Sequence, residues 1–189
     1  MAKAEDWYGS YYAWGELEPN KKEYNWDNYK FIHTDGLSKY NKKDNLTKLL
    51  PEDDAAYQNK KPNNFNFKFR TPSKDQFEEL INYTTFKTAY GFVKNHELKF
   101  SEYFHFGDDT IYTYGILLTS KINGNQLFFP MGSYKDSESH DIFNGGHYWT
   151  SDIKHWPCTA YIMCCSSSFI KILDKERYCG LNIRPVINL

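Results

Sequence analysis

The last third of the chain consists of short apolar and aromatic runs separated by polar turns. They are Tyr148-Trp149-Thr150-Ser151, Ala160-Tyr161-Ile162-Met163-Cys164-Cys165, Phe169-Ile170-Lys171-Ile172 and Leu181-Asn182-Ile183-Arg184-Pro185-Val186. Runs of this length and composition predict a small antiparallel sheet formed late in the sequence. Such a sheet is expected to turn one face to the core and leave the other open to a partner.

Ahead of those strands the pattern is helical in two places. Pro51 with Glu52, Asp53 and Asp54 predicts a short helix over Glu52–Gln58, its acidic residues lying where negative charge meets the helix dipole. Ser73 and Gln76 have the spacing of a capping box, and Phe77, Leu80 and Ile81 form an i, i+3, i+4 stripe, which together predict a second helix. Residues 18–47 read as a long loop pinned by Trp26, Tyr29 and Phe31. The aromatic opening, Trp7 to Glu16, reads as an edge strand paired with the end of the chain. Tyr83–Gly107 carries no clear period. Asp108-Asp109 is a turn candidate, and Asn123-Gly124 between Tyr112–Thr119 and Gln126–Phe129 is a hairpin signal.

With 189 residues, a single domain over 1–189 is the simplest expectation, since a chain of this size buries about 70% of its unfolded surface. Aromatic residues make up 19% of it, with 16 Tyr, 14 Phe and 5 Trp. That excess suits a recognition surface and equally an aromatic core with half-exposed tyrosines. A formal charge of -1 without a basic block argues against a nucleic-acid partner. The opening Met1-Ala2-Lys3-Ala4-Glu5-Asp6 lacks the apolar centre of an export signal, and no stretch reaches the roughly 18 apolar residues of a membrane span.

The four cysteines, Cys158, Cys164, Cys165 and Cys179, allow three full pairings. Adjacent Cys164 and Cys165 on a strand point to opposite faces, so one of them is expected in the core as a free thiol. Their spacings match neither a metal site nor a thioredoxin-like pair. No serine elbow, phosphate loop or histidine metal motif occurs. Asp136, Glu138 and Asp141 read as hydrated loop carboxylates, and no cofactor is expected. Among the late aromatics Tyr148, Trp149, His155, Trp156, Tyr161 and Phe169 are contact candidates, each equally a candidate for the core and Trp149 more so; His155-Trp156, followed by Pro157, is the preferred pair for an ordered ligand-facing loop.

Tyr11-Tyr12-Ala13-Trp14-Gly15-Glu16, Glu52-Asp53-Asp54-Ala55-Ala56, Phe69-Arg70-Thr71-Pro72-Ser73 with Phe77-Glu78-Glu79-Leu80, Gly132-Ser133-Tyr134, Tyr148-Trp149-Thr150-Ser151 and Gly180-Leu181-Asn182-Ile183-Arg184-Pro185-Val186 stand in an order that resembles the Fibrobacter succinogenes major paralogous domain family. That family is common in gut Bacteroidetes and their phages. The resemblance runs from about Gly9 to Val186 and implies an α+β, C-type-lectin-like fold: two helices, twisted antiparallel sheets and long loops. The chain departs from the family string at Phe69-Arg70-Thr71-Pro72, where the family usually has Trp before Arg and Met before Pro.

Carried over by position, Ala160, Met163, Cys165, Ile170, Arg177, Gly180, Arg184 and Val186 fall on framework places. Ile162, Cys164, Lys171, Leu173, Lys175, Glu176 and Cys179 fall where the family often shows tyrosine, asparagine or serine. The arrangement is also similar to the variable proteins of diversity-generating retroelements, in which adenine-directed mutagenesis rewrites exposed residues on such a scaffold. The resemblance thus implies a non-catalytic ligand-binding or receptor-recognition domain, extracellular, on a cell surface or on a phage particle. Its contacts would be His155, Trp156, Tyr161, Ile162, Cys164, Phe169, Lys171, Leu173 and Lys175, and its partner a protein or glycan on a cell surface. Two other readings stand beside it: a fixed-sequence carbohydrate-binding adhesin domain, and a cysteine-dependent oxidoreductase related to formylglycine-generating enzymes, with Cys164 and Cys179 paired or close at the foot of a cleft.

Overall fold

A computed structural model describes residues 9–58, 68–94, 97–103, 112–137, 145–154 and 157–187. The candidate pair His155-Trp156, the turn candidate Asp108-Asp109, and Glu138 and Asp141 lie outside them. The fold is α+β, with two helices and open antiparallel sheets. Among the described residues no helix is long and apolar enough to cross a membrane.

The stretch 18–47 is loop, as expected, interrupted by a 3-10 turn at Trp26–Asn28 and a two-stranded ribbon of β1 (Ile32–His33) and β2 (Gly36–Leu37). Tyr24, Tyr29, Phe31 and Tyr40 anchor it by burial. The expected first helix is split into a 3-10 turn at Pro51–Asp53 and a single-turn α1 (Ala55–Gln58). The acidic residues explain the split. Asp54, with extended ψ of 108°, turns its carboxylate to the Thr71 N–H at 2.8 Å and hydroxyl at 2.7 Å. Asp53 accepts from Tyr40 Oη at 2.8 Å and from Lys30 Nζ at 2.9 Å. Both carboxylates therefore bond to distant parts of the chain, and Asp54 Oδ1 also accepts the Ala56 N–H at 2.9 Å, capping the short α1 that follows.

After β3 (Phe69–Arg70), α2 (Lys74–Asn82) begins where the capping box places it. Ser73 Oγ accepts the Gln76 N–H at 3.2 Å, and Gln76 Oε1 accepts the Ser73 N–H at 2.8 Å. Phe77 is buried, with Leu80 and Ile81 packed beside it.

The region without a clear period forms β4 (Thr84–Lys94) and β5 (Glu97–Ser101), which join β6 (Tyr112–Ser120) and β7 (Gln126–Pro130) in the sheet order β5-β4-β6-β7. The signal is weak because the positions under Phe128 are small. A Cβ on Gly91 would lie 2.9 Å from the Phe128 ring, and one on Gly115 only 2.6 Å from it. Glycine there reads as a break in hydrophobicity, although it is the floor on which an aromatic ring packs. β6 and β7 are joined through Asn123-Gly124, with Gly124 at φ +72°.

β8 (Gly146–Ile153), β9 (Thr159–Cys165) and β10 (Ile170–Glu176) form the late sheet, ordered β10-β9-β8. β11 (Val186–Ile187) returns to pair with β3. The opening segment does meet the end of the chain: Tyr12 pairs antiparallel with Leu181, each N–H donating to the other's carbonyl at 2.9 and 3.0 Å.

One expectation about this sheet is overturned. Both faces of β8 and β9 are covered. Trp149, Ala160, Ile162 and Cys164 pack into a core with Trp14, Tyr29 and Tyr40. Tyr148, Met163 and Cys165 pack into a second core with Phe77, Ile116 and Phe129. Ile162 is 2% exposed and Cys164 6%, so neither looks outward. Cys164 and Cys165 do point to opposite faces, and both are buried because both faces carry core.

Candidate functional site

The open part of the late sheet is its outer strand. β9 is continuous in its apolar character, whereas β10 alternates, with Ile170 and Ile172 against the second core and Lys171 and Leu173 exposed. Leu173 is 39% exposed. The register sets Lys171 opposite Cys164, Leu173 opposite Ile162 and Lys175 opposite Ala160. Directly opposed residues share a face, so Lys171, Leu173 and Lys175 lie at the margin of the first core, where it opens to solvent.

Phe169 lies at the start of this strip, half-buried against the first core. Lys171 Nζ stands 4.5 Å from its ring centroid. At the far end Lys175 Nζ is 4.2 Å from the centroid of Tyr134, with Glu176 at 3.6 Å and Asp136 at 3.9 Å. Behind them His147 Nε2 is 3.5 Å from Cys164 Sγ, and its ring meets Tyr134 edge-on at 5.0 Å. His147 Nδ1 is buried without a hydrogen-bond partner among the described residues.

Burial, and then the nearby Lys175 charge, push the His147 pKa down to about 4. Burial pushes the Cys164 thiol up, against the opposing pull of Lys171, and drives Cys165 and Cys179 up to about 12. Activated thiols shift the other way. All four cysteines are free, and only Cys158 is exposed. Among the described residues no group of three or more His, Cys, Asp or Glu could hold a metal ion.

The structure therefore divides the candidate residues. Phe169, Lys171, Leu173 and Lys175 are brought together on one face, with Ile162 and Cys164 buried beneath. Tyr161 lies on the opposite face, half-buried, with Lys74 Nζ 5.5 Å from its ring.

Of the three neighbours of the strip, Tyr134 stands in the sequence only as part of the family string and Asp136 only as a hydrated loop carboxylate, and His147 carries no sequence reading of its own. His147 stands two residues before Trp149, and the period of two places it on the same face. The Gly145-Gly146 pair before it was a second signal. A Cβ on Gly145 would meet the Cys165 carbonyl oxygen at 2.4 Å, and one on Gly146 the Cys165 sulfur at 2.8 Å. Tyr134 follows Ser133, which is buried with φ +62°.

Comparison with family models, with curated proteins and with solved structures finds no match to this chain.

Proposed function

We propose that this chain is a non-catalytic recognition domain of C-type-lectin-like fold, akin to the Fibrobacter succinogenes major paralogous domain. It would act on a cell surface, on a phage particle or otherwise outside the cell, and its ligand would be a protein or glycan. One observation carries this reading: Lys171, Leu173 and Lys175 stand on one face of β10, with Phe169 just before its start, and β10 is the strand of the late sheet that other described residues do not enclose. A strand fixed on its other face by a packed core holds contact side chains in place before a partner arrives, which lowers the ordering cost of binding.

The test is a glycan and cell-surface protein binding screen of the wild type and of Lys171→Ala and Leu173→Ala. Both variants should keep the wild-type thermal midpoint within a few degrees and lose about tenfold in affinity or more, the effect of removing a central contact. Binding unchanged in both would contradict the reading.

A fixed-sequence form of the same domain is favoured over a hypervariable one at three positions. Ile162, Cys164 and Cys179 fall where variation was expected, and all are buried, so substitutions there would disturb the core. If retroelement mutagenesis operates, its adenine-linked changes should concentrate at Lys171, Leu173 and Lys175 and spare these three. A template repeat beside the gene would display that pattern.

A further inference from the structure

Among the described residues β10 is paired to β9 and to no other strand. At the hairpin end the Ser166 N–H donates to the Phe169 carbonyl at 2.8 Å, and at the other end the Arg177 N–H donates to the Cys158 carbonyl at 3.0 Å. Hydrogen-bonded and non-hydrogen-bonded pairs alternate along an antiparallel ladder. These two bonds therefore fix the parity of the whole strand. Lys171, Leu173 and Lys175 turn their main-chain groups to β9, and Ile170, Ile172 and Asp174 turn theirs outward. None of those three outward residues has a main-chain hydrogen bond to another described residue beyond its own ladder. Each presents one donor and one acceptor, and such a row is a template for another strand.

The side chains along this edge select what can pair there. Lys171 is exposed and makes no ion pair with a described carboxylate, its ammonium resting over Phe169. Lys175 shares Asp136 and Glu176 at distances of 3.9 and 3.6 Å. Leu173 lies between them on the same face. On the other face Asp174 is already neutralised by Lys154 at 2.6 Å. Edge lysines oppose pairing with a like-charged strand. Opposite charge directly across the ladder is favourable.

We propose that the outer edge of β10 takes up an extended acidic segment of another protein as a fourth strand. Main-chain bonds to Ile170, Ile172 and Asp174 would hold it. The spacing of Lys171, Leu173 and Lys175 asks for an acidic residue, then an apolar one two positions on, then a second acidic one two positions beyond. This rests on the recognition reading above and narrows it to a class of partner.

The probe is a fluorescein-labelled peptide of roughly eight residues, the length of an ordinary strand, carrying Glu-Thr-Val-Thr-Glu. A control has Lys for both Glu. Anisotropy titrations should show saturable binding of the Glu peptide, weakening as salt rises to about 0.15 M, and no comparable binding of the control. Lys171→Glu should lower affinity about tenfold or more and raise that of the Lys control, since it exchanges a cross-strand attraction for a repulsion. Asp174→Pro removes an outward N–H while leaving every bond to β9, and should weaken binding without lengthening the list of exchanging amides elsewhere. Bound peptide should slow exchange at the Ile170, Ile172 and Asp174 amides.

Equal binding of the two peptides, unchanged affinity in Lys171→Glu, or self-association of the peptide-free protein through this edge would overturn the proposal. Ligands from the glycan and surface screen that still depend on Lys171 and Leu173 while the Glu peptide fails to bind would overturn the edge proposal alone and leave the recognition reading intact.

Discussion

Arg177 is buried at 0% exposure with no described carboxylate in contact. Its Nε donates to Tyr29 Oη at 2.9 Å, and its Nη atoms to the carbonyls of Tyr40, Pro157 and Lys39 at 3.1, 2.9 and 3.3 Å. Trp14, Tyr29, Phe31 and Tyr40 surround it with ring centroids 4.8 to 5.7 Å away. A guanidinium tolerates this because it is weakly hydrated, planar and able to stack; an ammonium is compact and strongly hydrated. Tyr40 adopts φ +57°, a strained position for a bulky residue, with its N–H bonded to Asp44 and its hydroxyl to Asp53. Lys at position 177 would leave several of these acceptors unpaired. Arg177→Lys should therefore cost about 3 kcal/mol or more, read as a lower urea midpoint. His147 supplies a pH dependence at the same scale. Its folded pKa of about 4 lies below the ordinary 6.5, so the unfolded chain binds the extra proton first. Stability is complete above pH 6.5 and falls as the pH drops towards 4, by up to about 3 kcal/mol. Asp53 acts lower on the scale: although its burial opposes ionisation, Lys39, Lys30 and Tyr40 hold its carboxyl below the usual value. Urea midpoints measured between pH 7 and 4 should slope downward in the wild type and flatten in His147→Gln.

At the scale of elements, α2 was legible because both of its signals are local. The box of Ser73 and Gln76 and the stripe of Phe77, Leu80 and Ile81 need no knowledge of the rest of the chain. Phe77→Ala should cost about 3–5 kcal/mol by emptying a filled site, against less than about 0.5 kcal/mol for exposed Glu79→Ala; thermal or urea unfolding measures both. The late strands were legible as strands, and their faces were misread. Ile162-Met163-Cys164-Cys165 and Tyr148-Trp149 are unbroken apolar runs, the pattern of a strand buried on both sides. Only β10, with Lys171, Asp174, Lys175 and Glu176 among its apolar residues, has the alternation of a half-open strand. β4 was missed for the opposite reason: its Ala89 and Gly91 lie beneath Phe128, and small residues under a ring carry no hydrophobic period.

For the molecule as a whole, two cores on either side of β8 and β9 make that sheet an internal wall. The first core is assembled from far apart in sequence. Trp14 Nε1 donates to the Thr150 carbonyl at 2.8 Å, and Trp149 Nε1 to that of Tyr12 at 2.7 Å. Such pairings cannot be read from local pattern, which is why the loop 18–47 was seen as pinned without its partners being known. Among the described residues the same enclosure confines outward display from the late sheet to β10 and its neighbours Tyr134 and His147. The most direct measurement is the affinity of wild type, Lys171→Ala and Leu173→Ala for whatever glycan or cell-surface protein the wild type retains, alongside Glu79→Ala as an exposed control. The account predicts that the two β10 variants lose about tenfold or more while unfolding at the wild-type temperature, and that the control binds normally. Undiminished binding by both β10 variants would contradict it.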